Sequence, residues 1–174
     1  MEQGKFICCP GYKPQIFENA WRHMVFNART TQLPSGDGLQ TFKKAFKLKE
    51  IPTSAMFKVT SLGLFDAFFN GSRIGGDDRL APTWTDYRCR VFEYEYNVLP
   101  FLKKKEGAEN IISARISRGW WSGRISFGFY GFKSPAFCAE LILTYRDGSQ
   151  EIIATDESWL CTIAGPVLNA DIWD

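Results

Sequence analysis

Residues 62–87 read LGLFDAFFNGSRIGGDDRLAPTWTDY, and this segment contains the clearest structural signals of the chain. Apolar residues at alternate positions lead up to an Asn-Gly pair at positions 70–71. Asn-Gly best tolerates the positive φ angles of a two-residue hairpin turn. Residues 64–69 are therefore predicted to form one arm of a β-hairpin, and the return arm leads into a loop that carries Asp77 and Asp78.

The remaining chain repeats this pattern of short alternating segments separated by turn residues. Aromatic residues make up 16% of the composition, and period-2 alternation favours antiparallel sheet over helix. The predicted strands are residues 42–48, 56–60, 64–69, 91–98, 111–116, 125–130, 137–145, 150–155 and 159–163. An Asp-Gly pair at positions 147–148 marks a second hairpin, and a helical turn is predicted at 98–102. We therefore predict an all-β fold, a jelly-roll β-sandwich of antiparallel strands.

The N-terminal part of the chain differs from the rest. Pro10, Pro14 and Pro34 interrupt any periodicity, so residues 1–41 are predicted to be an irregular lead-in packed on the sandwich, with the β-sandwich domain at 42–174. A chain of 174 residues has the size of one domain. No apolar run approaches the length of a membrane span, and the chain does not begin with a signal peptide.

Charge and residue usage exclude several functional classes. The 21 Lys and Arg residues are interspersed with 19 Asp and Glu residues, so nucleic acid is not an expected partner. Five cysteines without CxxC spacing indicate neither a zinc site nor a complete disulfide framework. The single histidine, His23, lies in the irregular part, where a packed or surface imidazole is a simpler interpretation than a catalytic base.

Several motifs in a fixed order resemble one protein family. Residues 62–87 are similar to a pattern LNGxRVGD…LAPGWTDYxxRV, and residues 88–98 (RCRVFEYEYNV), 119–124 (GWWSGR), 155–159 (TDESW) and 165–174 (GPVLNADIWD) follow in the family's order. Together they resemble the N-terminal domain of bacterial α-L-rhamnosidases of glycoside hydrolase family 78. The resemblance implies that this chain alone is not an enzyme, because the family's catalytic acid and base lie in a separate α-helical barrel.

The chain is also similar to carbohydrate-binding module family 67, whose sandwiches hold L-rhamnose with the help of a calcium ion. By position in the motif, the resemblance implies Asp77 and Asp78 as Ca²⁺ ligands, with carbonyl donors from residues 131–135. Two glycines at positions 75–76 replace the family's single glycine, and Thr83 replaces another. These departures would shift the acidic loop and remove backbone freedom, so a solvated turn without metal is the alternative.

Sugar recognition requires flat apolar faces for C–H groups and planar polar groups for hydroxyls. Residues of both kinds occur in the predicted loops. The candidate carbohydrate-binding residues are Asn70, Asp77, Asp78, Trp84, Trp120, Trp121 and Arg124. Ordinary alternatives exist: Asn70 as a turn residue, Trp84 as a core anchor and Arg124 as the partner of a surface acid. An extended GWW segment would point one Trp inward and its neighbour outward.

Two functions stay open on this basis. The first is a non-catalytic carbohydrate-binding domain of an α-L-rhamnosidase that recognises rhamnose-containing oligo- and polysaccharides, with Ca²⁺ and the remaining domains of the parent glycosidase as partners. The alternative is a structural interdomain module that braces the catalytic (α/α) barrel without a ligand. An exposed aromatic beside the acidic loop would favour the first, and an extended apolar patch on a sheet face the second. The role of the family favours a periplasmic or secreted location, and a membrane is not an expected partner.

Overall fold

The structure of the chain is a computed structural model that describes residues 1–12, 39–125, 128–129 and 134–167, without the side chains of residues 124, 125, 128 and 129. Its strands are β1 (Gln40–Lys47), β2 (Ser54–Leu62), β3 (Leu64–Phe69), β4 (Ser72–Arg73), β5 (Tyr94–Asn97), β6 (Glu109–Ser117), β7 (Arg124–Ile125), β8 (Gly128–Phe129), β9 (Ala136–Thr144), β10 (Gln150–Ala154) and β11 (Leu160–Thr162). A 3₁₀ turn covers Leu99–Phe101, and a four-residue helix, α1, covers Gly119–Ser122. Within these described ranges, no helix has the length and apolar character needed to cross a bilayer.

The strands form two main sheets and one small ribbon. One sheet has the order β11-β1-β6-β3-β4, the other has the order β10-β9-β2-β5, and β7 pairs with β8. The pairs within both main sheets are antiparallel. The predicted all-β sandwich of the jelly-roll kind is confirmed.

Phenylalanine rings from the two sheets meet in the interior. Phe57 of β2 contacts Phe69 of β3 edge-on, with ring centroids 5.0 Å apart. Phe42 of β1 stacks on Phe137 of β9 at 5.7 Å. These four rings are at most 1% exposed. The aromatic residues that indicated sheet structure therefore also hold the two sheets together, because each ring removes a large apolar area from water.

Both predicted hairpin turns are present. Asn70 and Gly71 have φ angles of 51° and 84°, and Phe69 pairs directly with Ser72 across the turn. Gly148 has a φ angle of 83° in the turn between β9 and β10. β10 lies at the edge of its sheet, whereas β9 lies inside it.

Two predicted strands differ from the structure. The strand predicted at 91–98 is shortened to β5, because the hydroxyl of Thr60 bonds the carbonyl of Phe92 at 2.7 Å where ladder pairing with β2 stops. The segment predicted at 125–130 contains β8 and the end of β7 as paired short strands, and its residues 126, 127 and 130 lie outside the described residues. The GWW segment, to which no strand was assigned, forms the short helix α1, and Gly119 at its start has a φ angle of 48°.

The described N-terminal residues contact both sheets. The amide of Lys5 donates to the carbonyl of Thr155 at 3.0 Å, and Ile7 forms a β-bridge with Phe137 of the four-stranded sheet. The amide of Cys9 then donates to the side-chain oxygen of Gln40 in the five-stranded sheet. Residues 13–38, with His23, lie outside the described residues, so the predicted division after residue 41 stays a prediction.

Adjacent rings on β3 provide a test of the interior. Phe69 is fully buried, whereas its neighbour Phe68 is half-buried on the outer face beneath Arg115, 5.1 Å from the ring centroid. Truncation of Phe69 removes a ring and leaves a cavity, so Phe69→Ala should lower the free energy of unfolding by about 3–5 kcal/mol. Phe68→Ala should cost about 1 kcal/mol or less. Urea unfolding of both variants measures this, and equal losses would contradict the assigned register.

Candidate functional site

The acidic loop begins directly after β4 and is shaped by two glycines. Gly75 and Gly76 have φ angles of 86° and 50°, and the amide of Asp78 donates back to the carbonyl of Gly75 at 2.8 Å. A Cβ atom on Gly75 would lie 3.2 Å from the Tyr96 hydroxyl. Glycine therefore permits both the left-handed backbone and the close approach of the loop to β5.

Arg73 is the cation around which this loop is arranged. Its Nε donates to Asp66 Oδ1 at 2.8 Å, while its two terminal nitrogens donate to the carbonyls of Gly76 and Asp78, each at 2.8 Å. The side chains of Arg73 and Asp66 are 31% and 12% exposed. A planar guanidinium can satisfy three acceptors at fixed angles, so this contact sets the position of the loop backbone relative to β3.

Tyr96 holds the carboxylate of Asp78 from the other side. The Tyr96 hydroxyl donates to Asp78 Oδ2 at 2.8 Å. Burial of the phenol, followed by this bond to a carboxylate, raises the pKa of Tyr96 well above its usual value. The hydroxyl therefore remains a donor across the physiological range, and Asp78 is fixed through both its side chain and its backbone.

The oxygen atoms of the loop decide how well a calcium ion fits. Asp77 is exposed, whereas one carboxylate oxygen of Asp78 is bonded by Tyr96 and two loop carbonyls are bonded by Arg73. In the part of the chain that the structure describes, no group of three or more His, Cys, Asp or Glu side chains could hold a metal. Since Ca²⁺ takes six to eight oxygens, these residues alone do not complete a site. Of the predicted carbonyl donors at 131–135, those of Ser134 and Pro135 already accept from Trp121 Nε1 and Gln40 Nε2, and residues 131–133 lie outside the described residues.

Trp84 is exposed in the second half of the same loop. Its side chain is 59% exposed, whereas Ala81 and Thr85 on either side are each 5% exposed. The amide of Phe65 donates to the carbonyl of Ala81 at 2.6 Å and fixes this part of the loop to β3. The neighbours of Trp84 therefore anchor the loop, and the interpretation of Trp84 itself as a core anchor is wrong.

Trp121 lies on α1 and packs against Tyr87, near the other end of the loop. Its ring meets Tyr87 edge-on at 5.2 Å, and its Nε1 donates to the carbonyl of Ser134 at 3.0 Å. Burial raises the pKa of Tyr87. Trp120 is half-buried on the same helix, α1. The structure thus connects the helix to the loop through Tyr87, only three residues from Trp84.

The two remaining candidates are Asn70 and Arg124. The Asn70 amide donates to the carbonyl of Phe101 and to Asn110 Oδ1, both at 2.8 Å, and its oxygen accepts from the amide of Ile111 at 3.0 Å. Because these bonds occupy the side-chain amide of Asn70 within the protein, they support its interpretation as a turn residue. The backbone of Arg124 lies in β7, and its side chain lies outside the described residues.

Sequence reasoning missed the residues that organise the acidic loop: Asp66, Arg73 and Tyr96. A signal was present for Arg73, because it lies in the return arm of the Asn-Gly hairpin, five residues before Asp78. Tyr96 gave no comparable signal, since its contact with the loop depends on the pairing of β5 with β2. The structure therefore joins Asp78, one of the two predicted acids, to a cation and a phenol that the sequence pattern did not connect with it.

Fold and loop together define the class of this protein as a β-sandwich domain with a fixed acidic loop and an exposed aromatic side chain. The chain belongs to the family described as "Alpha-L-rhamnosidase N-terminal domain", whose sequence pattern matches residues 50–174. The predicted family is confirmed.

Individual relatives agree with this assignment. An alpha-L-rhamnosidase of Alteromonas sp. (strain LOR) is 32% identical over 91% of this chain, and one of Streptomyces avermitilis is 35% identical over 80%. The chain spans only 18% and 13% of these two proteins. It therefore corresponds to a small domain of a glycoside hydrolase, and the prediction that the catalytic residues lie outside it is confirmed.

Solved structures of relatives have the same fold. The crystal structure of Streptomyces avermitilis alpha-L-rhamnosidase complexed with L-rhamnose matches with a TM-score of 0.70 and 34% identity, covering 78% of this chain and 13% of that one. Native alpha-L-rhamnosidase from Aspergillus terreus matches with a TM-score of 0.71 and 33% identity, covering 84% of this chain and 17% of that one.

The role of Arg73 can be tested by changing its shape while keeping its charge. Lysine cannot donate to three acceptors in one plane, so Arg73→Lys should lower the free energy of unfolding by about 1–2 kcal/mol. Arg88 is the matched control, because it pairs with Asp86 at 2.9 Å, where both groups face solvent. That arginine lowers the pKa of Asp86 to about 2, yet Arg88→Lys should change stability less. Urea unfolding in parallel distinguishes them, and equal effects would refute the organising role.

Proposed function

We propose that this domain recognises L-rhamnose-containing glycans as the non-catalytic N-terminal domain of an α-L-rhamnosidase. The observation that carries the proposal is the exposed ring of Trp84 in the same loop as Asp77 and Asp78. An indole face suits the C–H side of a deoxy sugar, and carboxylates accept hydrogen bonds from its hydroxyls. The L-rhamnose complex of the Streptomyces avermitilis relative supports this class of ligand.

The rigidity of the loop supports recognition. Arg73 fixes two loop carbonyls, Tyr96 fixes Asp78, and the bond from Phe65 to Ala81 fixes the segment before Trp84. A loop that is already ordered loses little conformational freedom when a ligand binds. The domain would then increase the concentration of glycan near the catalytic domain of the whole protein by tethering.

The alternative is a structural module that braces the catalytic barrel. Bracing predicts an extended apolar patch on one face of a sheet. The large apolar side chains that are strongly exposed among the described residues are the candidates for such a patch. These are Phe6, Ile51, Trp84 and Leu160, which belong to four separate segments of the chain. Trp84 lies in the acidic loop and is the exposed aromatic side chain that recognition predicts there.

Titration calorimetry with L-rhamnose tests the recognition proposal on the 174-residue chain. Trp84→Ala should weaken binding about tenfold, because an aromatic stacking face contributes about 1–1.5 kcal/mol. Leu160→Ala is the matched control, since Leu160 is 71% exposed on the edge strand β11 and should leave the affinity unchanged. If titration of the wild-type chain with L-rhamnose gave no heat of binding, the bracing role would be supported instead.

Calcium enters the proposal as an ion that Asp77 and Asp78 would bind together with water, sugar hydroxyls and carbonyls of residues 131–135. The Asp77 carboxylate is exposed, and Asp78 is held with one oxygen on Tyr96. A bound Ca²⁺ would supply positive charge that orients vicinal hydroxyls. The chain's own residues would fix the Asp78 carboxylate and place Asp77 and Trp84 in the same loop.

Calcium dependence has its own test. In millimolar CaCl₂ the dissociation constant for L-rhamnose should be at least about tenfold lower than in EDTA, because the ion would add ligand contacts. Asp77→Asn should abolish this difference, while Glu109→Asn, a change of another exposed acid, should preserve it. Equal affinities in EDTA and in calcium would show that any rhamnose binding is metal-independent.

A further inference from the structure

Three cysteines come together where the N-terminal segment meets the edge of the five-stranded sheet. Cys9 is 6% exposed, Cys161 on β11 is partly buried against the core, and Cys8 is exposed. Most of the sequence separates Cys8 and Cys9 from Cys161, and none of the three belongs to the acidic loop. Their spacing in the sequence does not indicate that they lie together.

Backbone contacts place Cys9 beside β11. The amide of Cys9 donates to the side chain of Gln40, which is fully buried at the start of β1. Cys161 on β11 pairs with Phe42, which lies on β1 two residues after Gln40. An added Cβ on Gly11 would lie 3.5 Å from a methyl carbon of Ile163. Residues 9–11 therefore run alongside the segment that contains Cys161.

Burial, followed by the neighbouring Cys9 thiol, raises the pKa of Cys161 to about 11, in agreement with this placement. Cys8 faces solvent, as expected for the neighbour of a buried residue in an extended segment. Among the described residues no three such side chains could hold a metal, so the arrangement does not indicate a metal-thiolate site.

We infer that Cys9 and Cys161 form an oxidisable thiol pair whose disulfide fastens the N-terminal segment to strand β11. This segment already crosses from Phe137 in one sheet to Gln40 in the other. A covalent bond at its far end would hold the two sheets together at one edge. The bond would also close a loop across most of the chain, which restricts the unfolded state strongly.

The reaction requires a small-molecule disulfide such as oxidised glutathione. The thiolate of the more accessible Cys161 attacks one sulfur, forming a mixed disulfide and releasing one small thiolate. The Cys9 thiolate then displaces the second small thiolate and closes the protein disulfide. Two protein thiols lose two protons and two electrons, and the small disulfide is reduced to two thiols.

Thiol counting tests the pair on the native 174-residue chain. After incubation with oxidised glutathione and alkylation in denaturant, the number of alkylated cysteines should fall from five to three, since two thiols are consumed. Cys8→Ser should still lose two thiols, because Cys8 is not in the pair. Cys161→Ala and Cys9→Ala should each lose none to an internal disulfide, and circular dichroism checks that both variants are folded.

Two measurements on the wild-type chain need no variant. Well below the pKa of Cys161 the thiolate fraction rises tenfold per pH unit, so closure should be roughly 100-fold faster at pH 9 than at pH 7. The oxidised chain should also melt about 5–15 °C higher than the reduced chain. Five free thiols after oxidation, a link to Cys8, or covalent dimers would overturn the inference, whatever the outcome with sugar.

Discussion

The turn at Asn70 and Gly71 is the constraint on which the candidate site depends. Asn70 takes a left-handed backbone conformation and uses its side chain to bond the 3₁₀ turn and β6. The chain therefore reverses at one fixed position, and Arg73 follows on the face that carries Asp66. A slip of one residue would turn Arg73 to the opposite face of the sheet, and the acidic loop would lose its cation.

Two different strands hold the acidic part of the loop in place. Arg73 on β4 binds the carbonyls of Gly76 and Asp78, and Tyr96 on β5 binds the Asp78 carboxylate. β4 and β5 belong to different sheets, so the loop spans the edge of the sandwich. Packing of Phe57 against Phe69 holds the two sheets at a fixed distance. The geometry of the loop is thus determined by the core, even though its own residues are polar.

Local signals in the sequence predicted the fold well. The Asn-Gly and Asp-Gly turns and the alternating strands depend on neighbouring residues, so pattern was sufficient for them. No helix was predicted for the GWW segment, because α1 depends on the positive φ angle of Gly119. Contacts such as Trp121 with Tyr87 join distant segments, and the exposure of Trp84 depends on buried neighbours. Such non-local features could not be obtained from one sequence.

Arg73 also determines what a metal at this loop would require. Its guanidinium already places a positive charge on two loop carbonyls, so a calcium ion on the same side would be repelled. The ion would have to lie on the outward side, where Asp77 is exposed. Tyr96 binds one carboxylate oxygen of Asp78, so that residue would offer the ion mainly its other oxygen. Asp77 would therefore supply the larger share of the attraction, and a loop without calcium would still be held in shape by its internal cation.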